Sequence, residues 1–204
     1  LQAQINPHFL YNILDMINWM AMRQGADDIN YVVAKLAKFF RLSLSSGREM
    51  IPIGDELEHI RLYVDIQNVR YEDRIALNME IDESVLDYYT VNLILQPLVE
   101  NAIMHGINER DDKKGIIRIV AYEDIESIIF KVEDNGVGMS KETLSSLQEG
   151  KSTGYGVKNV DERLKLRFGD EYGLTYASKE NEGTQVTVRI PIIDEVDEDE
   201  EIKN

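Results

Sequence analysis

The hydrophobic period of this 204-residue chain changes once, near residue 74, and that change limits the fold more than any other feature. Before it, apolar residues recur at helical spacing. Ile5, Phe9, Leu10, Ile13, Leu14, Ile17 and Met20 share one face of a helix over residues 1–23. A second helix is expected over 28–46, with Gly47 placed to end it, and a third from Asp55 to about Tyr71, after Pro52 and Gly54. No strand signal interrupts them, which predicts two or three antiparallel helical pieces. After residue 74 the stretch "RIALNMEID" alternates Ile75, Leu77, Met79 and Ile81, the period of a strand with one buried face.

The pattern beyond that point predicts a helix over about 91–106 and strands over 116–123 and 127–133. A short helix follows at 140–148, then a glycine-containing loop at 149–155 and a helix at 156–168. Two closing strands, 173–179 and 184–192, flank the turn-like "KENEGT". The fold class is therefore α+β: a helical segment, residues 1–72, then an α/β two-layer sandwich, residues 73–193, with a mixed sheet and helices on one face. Residues 194–204 form an acidic tail expected to be disordered, because "DEVDEDEE" repels itself.

Composition removes several function classes. The chain has no cysteine, which excludes disulfides, thiolate metal sites and cysteine nucleophiles. Its net charge is −16, of which residues 194–201 hold seven acids and leave −9 elsewhere, a poor match for a phosphate backbone. No run of about 18 apolar residues exists to span a membrane. The chain opens without a methionine, inside a helical pattern, so it reads as a fragment of something longer that has room for a membrane segment upstream.

Four short stretches carry chemistry. "VEDNGVGMS" (132–140) follows an apolar run, so Asp134 sits at a strand end where it can accept from an exocyclic amine. Gly136 and Gly138 then allow backbone to approach a flat ligand; an ordinary Asn-Gly turn is the plainer alternative. Upstream, "LQPLVENAIMHG" (95–106) sets polar Glu100, Asn101 and His105 into an apolar helix. Downstream, "STGYGVKNVDERL" (152–164) leads Gly154 and Gly156 into a helix, whose N-terminal N–H groups suit phosphate. "EGT" (182–184) precedes the last strand. Neither GxxxxGK[ST] nor GxGxxG occurs, so a P-loop and a dinucleotide fingerprint are excluded.

In this order and spacing the four stretches resemble the ATP-binding domain shared by histidine kinases, gyrase-type topoisomerases, ninety-kilodalton heat-shock chaperones and mismatch-repair ATPases, the Bergerat-type fold. The resemblance implies that Asp134 binds the adenine amino group, with Gly136 and Gly138 shaping the pocket and Thr184 supporting it. It implies that Asn101 holds Mg²⁺ against the phosphates. Residues 139–156 would form a lid, with Gly154, Gly156, Val157 and Lys158 at the phosphates and His105 in contact with them. Topoisomerases and chaperones carry a water-activating glutamate one turn before the asparagine. Here that position is Pro97, and Glu100 points about 100° away around the helix, so hydrolysis is disfavoured and transfer to an internal nucleophile gains weight.

Three histidines are available. His59, amid the charges of "DELEH", is expected on the surface, and His105 lies within the nucleotide domain. His8 has Gln4, Asn12 and Asp15 on its stripe of the helix, opposite Leu10, Ile13, Leu14 and Ile17, and an exposed neutral imidazole is a competent nucleophile. Pro7 beside it permits either a bend in the helix or a helix start with Asn6 as cap.

"NPHFLYN" (6–12), "LAKFFRLSL" (36–44), "GDELEHIRLYVDIQNVRYEDRI" (54–75) and the ATP-site stretches together resemble sensor histidine kinases of the LytS and YesM type. The resemblance covers nearly the whole chain to about residue 192. It implies a bacterial two-component kinase core that autophosphorylates on His8 and passes the phosphoryl group to a response-regulator aspartate. ATP and Mg²⁺ would be its cofactors, and Asn12 would support dephosphorylation of the partner. It further implies a homodimer, no nucleic acid, a cytoplasmic fragment and a full-length protein anchored in the plasma membrane. Phe9 stands where many histidine kinases place an acid, leaving the general base open with Asp15 as candidate. Met104 stands where related kinases often carry lysine. A nucleotide-binding regulatory module without transfer activity and an anti-sigma-type serine kinase are the alternatives.

Overall fold

The computed structural model describes residues 7–44, 48–148 and 155–196. Two helices open it, α1 (Pro7–Gln24) and α2 (Asp27–Leu44). They reverse through a tight turn in which Ala26 N–H donates to Ala21 O at 3.0 Å, while Asp27 and Asp28 place negative charge at the N-terminus of α2. Whether Pro7 bends a longer helix or starts one is decided by residues 1–6, which lie outside the described residues, as does Gly47.

The expectation of uninterrupted helix before residue 72 is corrected at one place. Met50–Pro52 forms a strand, β1, before α3 (Ile53–Tyr71). β1 pairs antiparallel with β3 (Tyr89–Val91), joining Met50 to Val91. β3 in turn occupies the start of the expected 91–106 helix. The helix proper is α4 (Gln96–Asn101), which passes into a wider π-turn over Ala102–Ile107.

β2 (Ile75–Ile81), β4 (Gly115–Asp124), β5 (Ser127–Asp134), β6 (Gly173–Lys179) and β7 (Gly183–Pro191) form one sheet in the order β2-β4-β5-β7-β6. β2 and β4 run parallel and the other pairs antiparallel, so the sheet is mixed. Two more helices, α5 (Lys141–Gln148) and α6 (Tyr155–Phe168), lie between β5 and β6. The alternation read from β2 is real: Ile75 is buried, Leu77, Met79 and Ile81 are half-buried, and Ala76, Asn78 and Glu80 are exposed. Ile60 and Val64 of α3, Leu98 of α4 and Leu164 of α6 pack onto Ile117, Phe130 and Val188 of the sheet.

α3 is buried on nearly every side. One face enters the sheet core through Ile53, Leu57, Ile60 and Val64. Another meets α2, where Lys38 donates to Glu58 at 2.7 Å and Lys35 pairs with Asp65. His59 lies in that contact and is only 1% exposed, which corrects its expected surface position. Its ring stacks on Phe39 with centroids 4.4 Å apart. The Ser43 hydroxyl donates to Phe39 O at 2.8 Å, so its oxygen accepts from His59 Nε2–H at 2.7 Å. His59 Nδ1 is left buried without a hydrogen-bond partner among the described residues.

Burial pushes the His59 imidazole down from 6.5 to about 4. A depressed folded-state value contributes stability above the unfolded value and loses it as pH falls through the folded one. Wild type should therefore lose roughly 1–3 kcal/mol relative to His59→Phe as pH falls from neutrality to about 4. Chemical denaturation of both chains across that range measures it. Parallel pH curves would contradict the buried, neutral imidazole.

Candidate active site

The carboxyl end of β5 and the start of β7 meet at the register pair Asp134–Thr184. Asp134 is the last residue of its strand, so its carboxylate leaves the sheet at an open end. Its Oδ1 accepts from Gly136 N–H at 2.8 Å. Burial raises the Asp134 carboxyl to about 6, against backbone donors at Gly136 and Thr184 that lower it. A half-buried carboxylate with free acceptor capacity is thus aimed at the space beside the sheet.

The π-turn brings the opposite wall close. Its extra residue per turn carries the Gly106 backbone against Asp134, where a Cβ on Gly106 would lie 2.7 Å from Oδ1. Val137 N–H donates to Gly106 O at 3.1 Å, and Asn181 N–H to Val137 O at 2.6 Å, clamping the "DNGVG" loop between that turn and the β6–β7 connection. Gly138 has φ +66° and Lys179 O directly against it, so a side chain there is barred twice over. Ser178, which the sequence reading did not single out, ties these parts together. Its hydroxyl donates to Gly183 O at 2.9 Å, so its oxygen accepts from Met139 N–H and from the Thr184 hydroxyl, each at 2.9 Å.

Between these walls is a cavity of about 360 Å³, and Asn101, His105, Asp134, Gly138, Val157 and Thr184 all line it. Its floor and roof are mostly apolar, as a flat aromatic ligand requires. Thr143 and Leu147 reach it from α5 and Tyr176 from β6. The sequence reading missed all three; the one signal was the i, i+4 spacing of Thr143 and Leu147 on a short helix. Gly136, Gly156 and Lys158 are placed outside the walls. Gly136 packs on Gly106, and Lys158 stands on α6 with Glu162 at 3.6 Å. Gly154 lies outside the described residues. Glu100 is held by Gln96 Nε2, which donates to it at 2.7 Å.

His8 and Asn12 are exposed on α1, and Asn12 Nδ2 lies 3.2 Å from His8 Nδ1. Asp15, one turn further, is also exposed. Among the described residues no group of three or more His, Asp and Glu could hold a metal ion. None of the described helices is long and apolar enough to cross a membrane.

Residues 87–194 match the family model described as histidine kinase-, DNA gyrase B- and HSP90-like ATPase. The chain belongs to this family. Residues 1–75 match the histidine kinase model as well, and an ATPase domain of this family implies ATP binding. Sensor histidine kinase YesM of Bacillus subtilis is 38% identical over 96% of this chain and 33% of its own length. Sensor histidine kinase BtsS of Escherichia coli is 34% identical over 96% of this chain and 33% of its own length. Sensor protein LytS of Bacillus anthracis is 32% identical over 99% and 35%. The chain thus spans about a third of the length of these relatives.

Among solved structures, the histidine kinase domain of a blue-light activated histidine kinase from Erythrobacter litoralis superposes with TM-score 0.51 at 17% identity, covering 92% of this chain and 86% of that one. The catalytic domain of histidine kinase ThkA gives TM-score 0.55 at 16% identity over 70% and 94%. These likenesses establish the ATPase-family fold.

The two central glycines of the motifs differ in what they tolerate. Gly136→Ala drives a methyl into the Gly106 backbone and should cost about 1–3 kcal/mol. A Cβ at Gly156 meets only Pro97 Cβ at 3.5 Å, so Gly156→Ala in the first turn of α6 should stay within about 0.5 kcal/mol of wild type or gain stability. Urea denaturation of both variants decides this, and equal costs would contradict the packing.

Proposed function

We propose that the chain is the catalytic core of a two-component sensor histidine kinase, which autophosphorylates His8 from ATP and passes the phosphoryl group to an aspartate of a response regulator. The observation that carries this is the pairing, in one chain, of an exposed His8–Asn12 couple on α1 with a cavity ended by a half-buried acceptor, Asp134. Residues 1–72 act as the phosphoacceptor segment and 73–193 as the nucleotide domain, with α3 buried against both.

Asp134 accepts from the adenine amino group, the Gly106–Gly138 walls enclose the ring, and Thr184 presents its oxygen beside it. Asn101 and His105 face the phosphates. Asn101 offers a single neutral oxygen, so the residues fit a cation that takes its other ligands from phosphate oxygens and water. Mg²⁺ bound there would neutralise charge developing on the transferred phosphoryl group. Gln96 Nε2 donates to one Glu100 oxygen and holds that carboxylate along α4, and Pro97 stands one turn before Asn101 where a water-activating acid would be needed, which favours transfer over hydrolysis.

At His8 the Asn12 contact decides which ring nitrogen carries the lone pair. An Asn12 amide that donates to Nδ1 leaves the proton on Nε2. Turned over, its oxygen accepts from Nδ1–H, and the lone pair then lies on Nε2. The Nε2 lone pair then attacks the γ-phosphorus, the bond to the β–γ bridging oxygen breaks, and ADP leaves. Asn12 oxygen shares the charge left on Nδ1–H, a job that an adjacent acid would do if position 9 were not Phe9. The partner's aspartate next attacks phosphorus and the N–P bond breaks, returning neutral His8.

His8 is not among the residues lining the cavity, so delivery to it calls for a second copy or a movement of α1. A second copy also suits the apolar surface left open on the helices, where Phe9 is 63% and Trp19 57% exposed.

Incubation with γ-labelled ATP tests the proposal. Wild type should acquire acid-labile label, and His8→Gln should acquire none; persistent acid-labile label in that variant overturns the nucleophile. Asn12→Ala should slow dephosphorylation of the cognate regulator. Asp134→Asn should weaken ATP binding by about 1.5–3 kcal/mol, as expected for loss of a charge-assisted acceptor, and Asn101→Ala should abolish metal-dependent labelling. Unchanged titration curves for Asp134→Asn would place adenine elsewhere.

A further inference from the structure

α4 is only six residues long, and no side chain of its own caps its start at Leu95. The direction in which it presents Asn101 therefore depends on the loop before it. That loop is gripped by another element. Glu56 on α3 is fully buried, and its two carboxylate oxygens accept separately from Leu93 N–H at 3.0 Å and Leu95 N–H at 2.8 Å. On the far side Arg163 of α6 donates from Nη2 to Asn92 O at 3.0 Å. Leu93, between the two grips, has φ +59°, the left-handed region that a branched non-glycine residue avoids. Such a conformation persists only where its surroundings over-determine it, and it concentrates near functional sites.

Stability alone does not account for a carboxylate in this place. Burial pushes the Glu56 carboxyl up to about 7, against the backbone donors at Leu95 and Leu93 that lower it. A hydrophobic side chain of similar volume usually serves a core as well or better. What an apolar residue could not do is hold two N–H groups in the orientation that fixes Leu93. The adenine end of the cavity is independent of this device, because Asp134 and Thr184 are set by strand pairing and by Gly136, with no contact to Glu56.

We infer that Glu56 is a positioning residue for phosphoryl transfer: with Arg163 it sets the 92–95 loop, and through that loop the placement of Asn101 at the phosphate end of the site. This rests on the proposed ATP site and adds to it a residue that never touches nucleotide. α6 takes part twice, since its first turn approaches α4 where Gly156 faces Pro97. The phosphate end is therefore braced from α3 and α6 together.

The variant Glu56→Gln keeps the size and one acceptor oxygen but turns an amide donor toward the second N–H. In the full chain, above the Glu56 pKa, ADP binding without divalent cation reads the adenine end, and labelling at saturating ATP and Mg²⁺ reads transfer. Glu56→Gln should bind ADP within about threefold of wild type while its labelling rate per bound nucleotide falls about tenfold or more. The Leu93 and Leu95 amides should exchange hydrogen faster. A merely structural loss would instead remove ADP sites and activity in proportion, with the rate per occupied site unchanged, and that result overturns the inference. If Glu56→Gln shows no cooperative unfolding transition, Arg163→Gln decides: the same split supports the role, and an unchanged rate per site overturns it. Wild type that binds no ADP overturns the ATP site and this role with it. Wild type and Glu56→Gln labelling alike overturns the role alone.

Discussion

Three glycine backbones close on Asp134, and the ligand end of the fold depends on that closure. Gly106 abuts its carboxylate, Gly136 donates to the carboxylate and packs back onto Gly106, and Gly183 lies against its carbonyl with no space for a Cβ. Only because all three lack side chains can the π-turn, the loop after β5 and the start of β7 converge on one carboxylate. The π-turn is part of the same constraint. A regular helix would present a different residue to Asp134 and turn His105 away from the cavity it lines. A site that reads a flat, amine-bearing ring follows from backbone packing first and side-chain chemistry second.

The helical half is joined to this site through α3. One side of α3 is core and another carries α2, held by the Lys38–Glu58 and Lys35–Asp65 pairs and by the His59–Phe39 stack. Within one turn of His59 on the same helix, Glu56 grips the loop that starts α4. Ser43 closes the arrangement from α2: its hydroxyl meets His59, and its carbonyl accepts from Asn92 Nδ2 at 3.4 Å. The opening helices and the Asn101 helix are thus anchored within a few residues of each other. The Lys38–Glu58 pair is exposed and contributes little to stability, so the buried ring and the buried carboxylate carry more of this junction than Lys38 does.

What could be read in the sequence followed from periodicity. β2, β4, β5, β6 and β7 were legible because each alternates or runs apolar for seven residues or more, and α5 and α6 because turn residues bound them. β1 and β3 escaped because three-residue strands offer no period to count, and Pro52 masks the first. The π-turn escaped because "VENAIMHG" is equally apolar in either winding, and only the contact with Asp134 selects the wider one. His59 and Glu56 escaped for a shared reason. α3 is buried on nearly all sides, so charges in "DELEH" that read as a solvated face are internal, each matched by one partner on a distant element. Asp134, Asn101, His105, Gly138, Val157 and Thr184 were legible through the family resemblance that the four stretches carry, and all six line one cavity. Thr143, Leu147, Tyr176 and Ser178 were not, since nothing in their local sequence separates them from ordinary helix and strand residues.

The claim that organises the rest is that the cavity reads adenine through an acceptor at Asp134. Comparing the affinities of ATP and inosine triphosphate for the wild-type chain tests it most directly, because the two differ at the exocyclic position and keep the same sugar and phosphates. An amino group donates to the Asp134 carboxylate, whereas the exocyclic carbonyl oxygen of inosine sets two acceptors against each other. Calorimetric titration should find ATP bound about tenfold or more tighter, the equivalent of one charge-assisted hydrogen bond. Equal affinities for the two nucleotides would contradict the account.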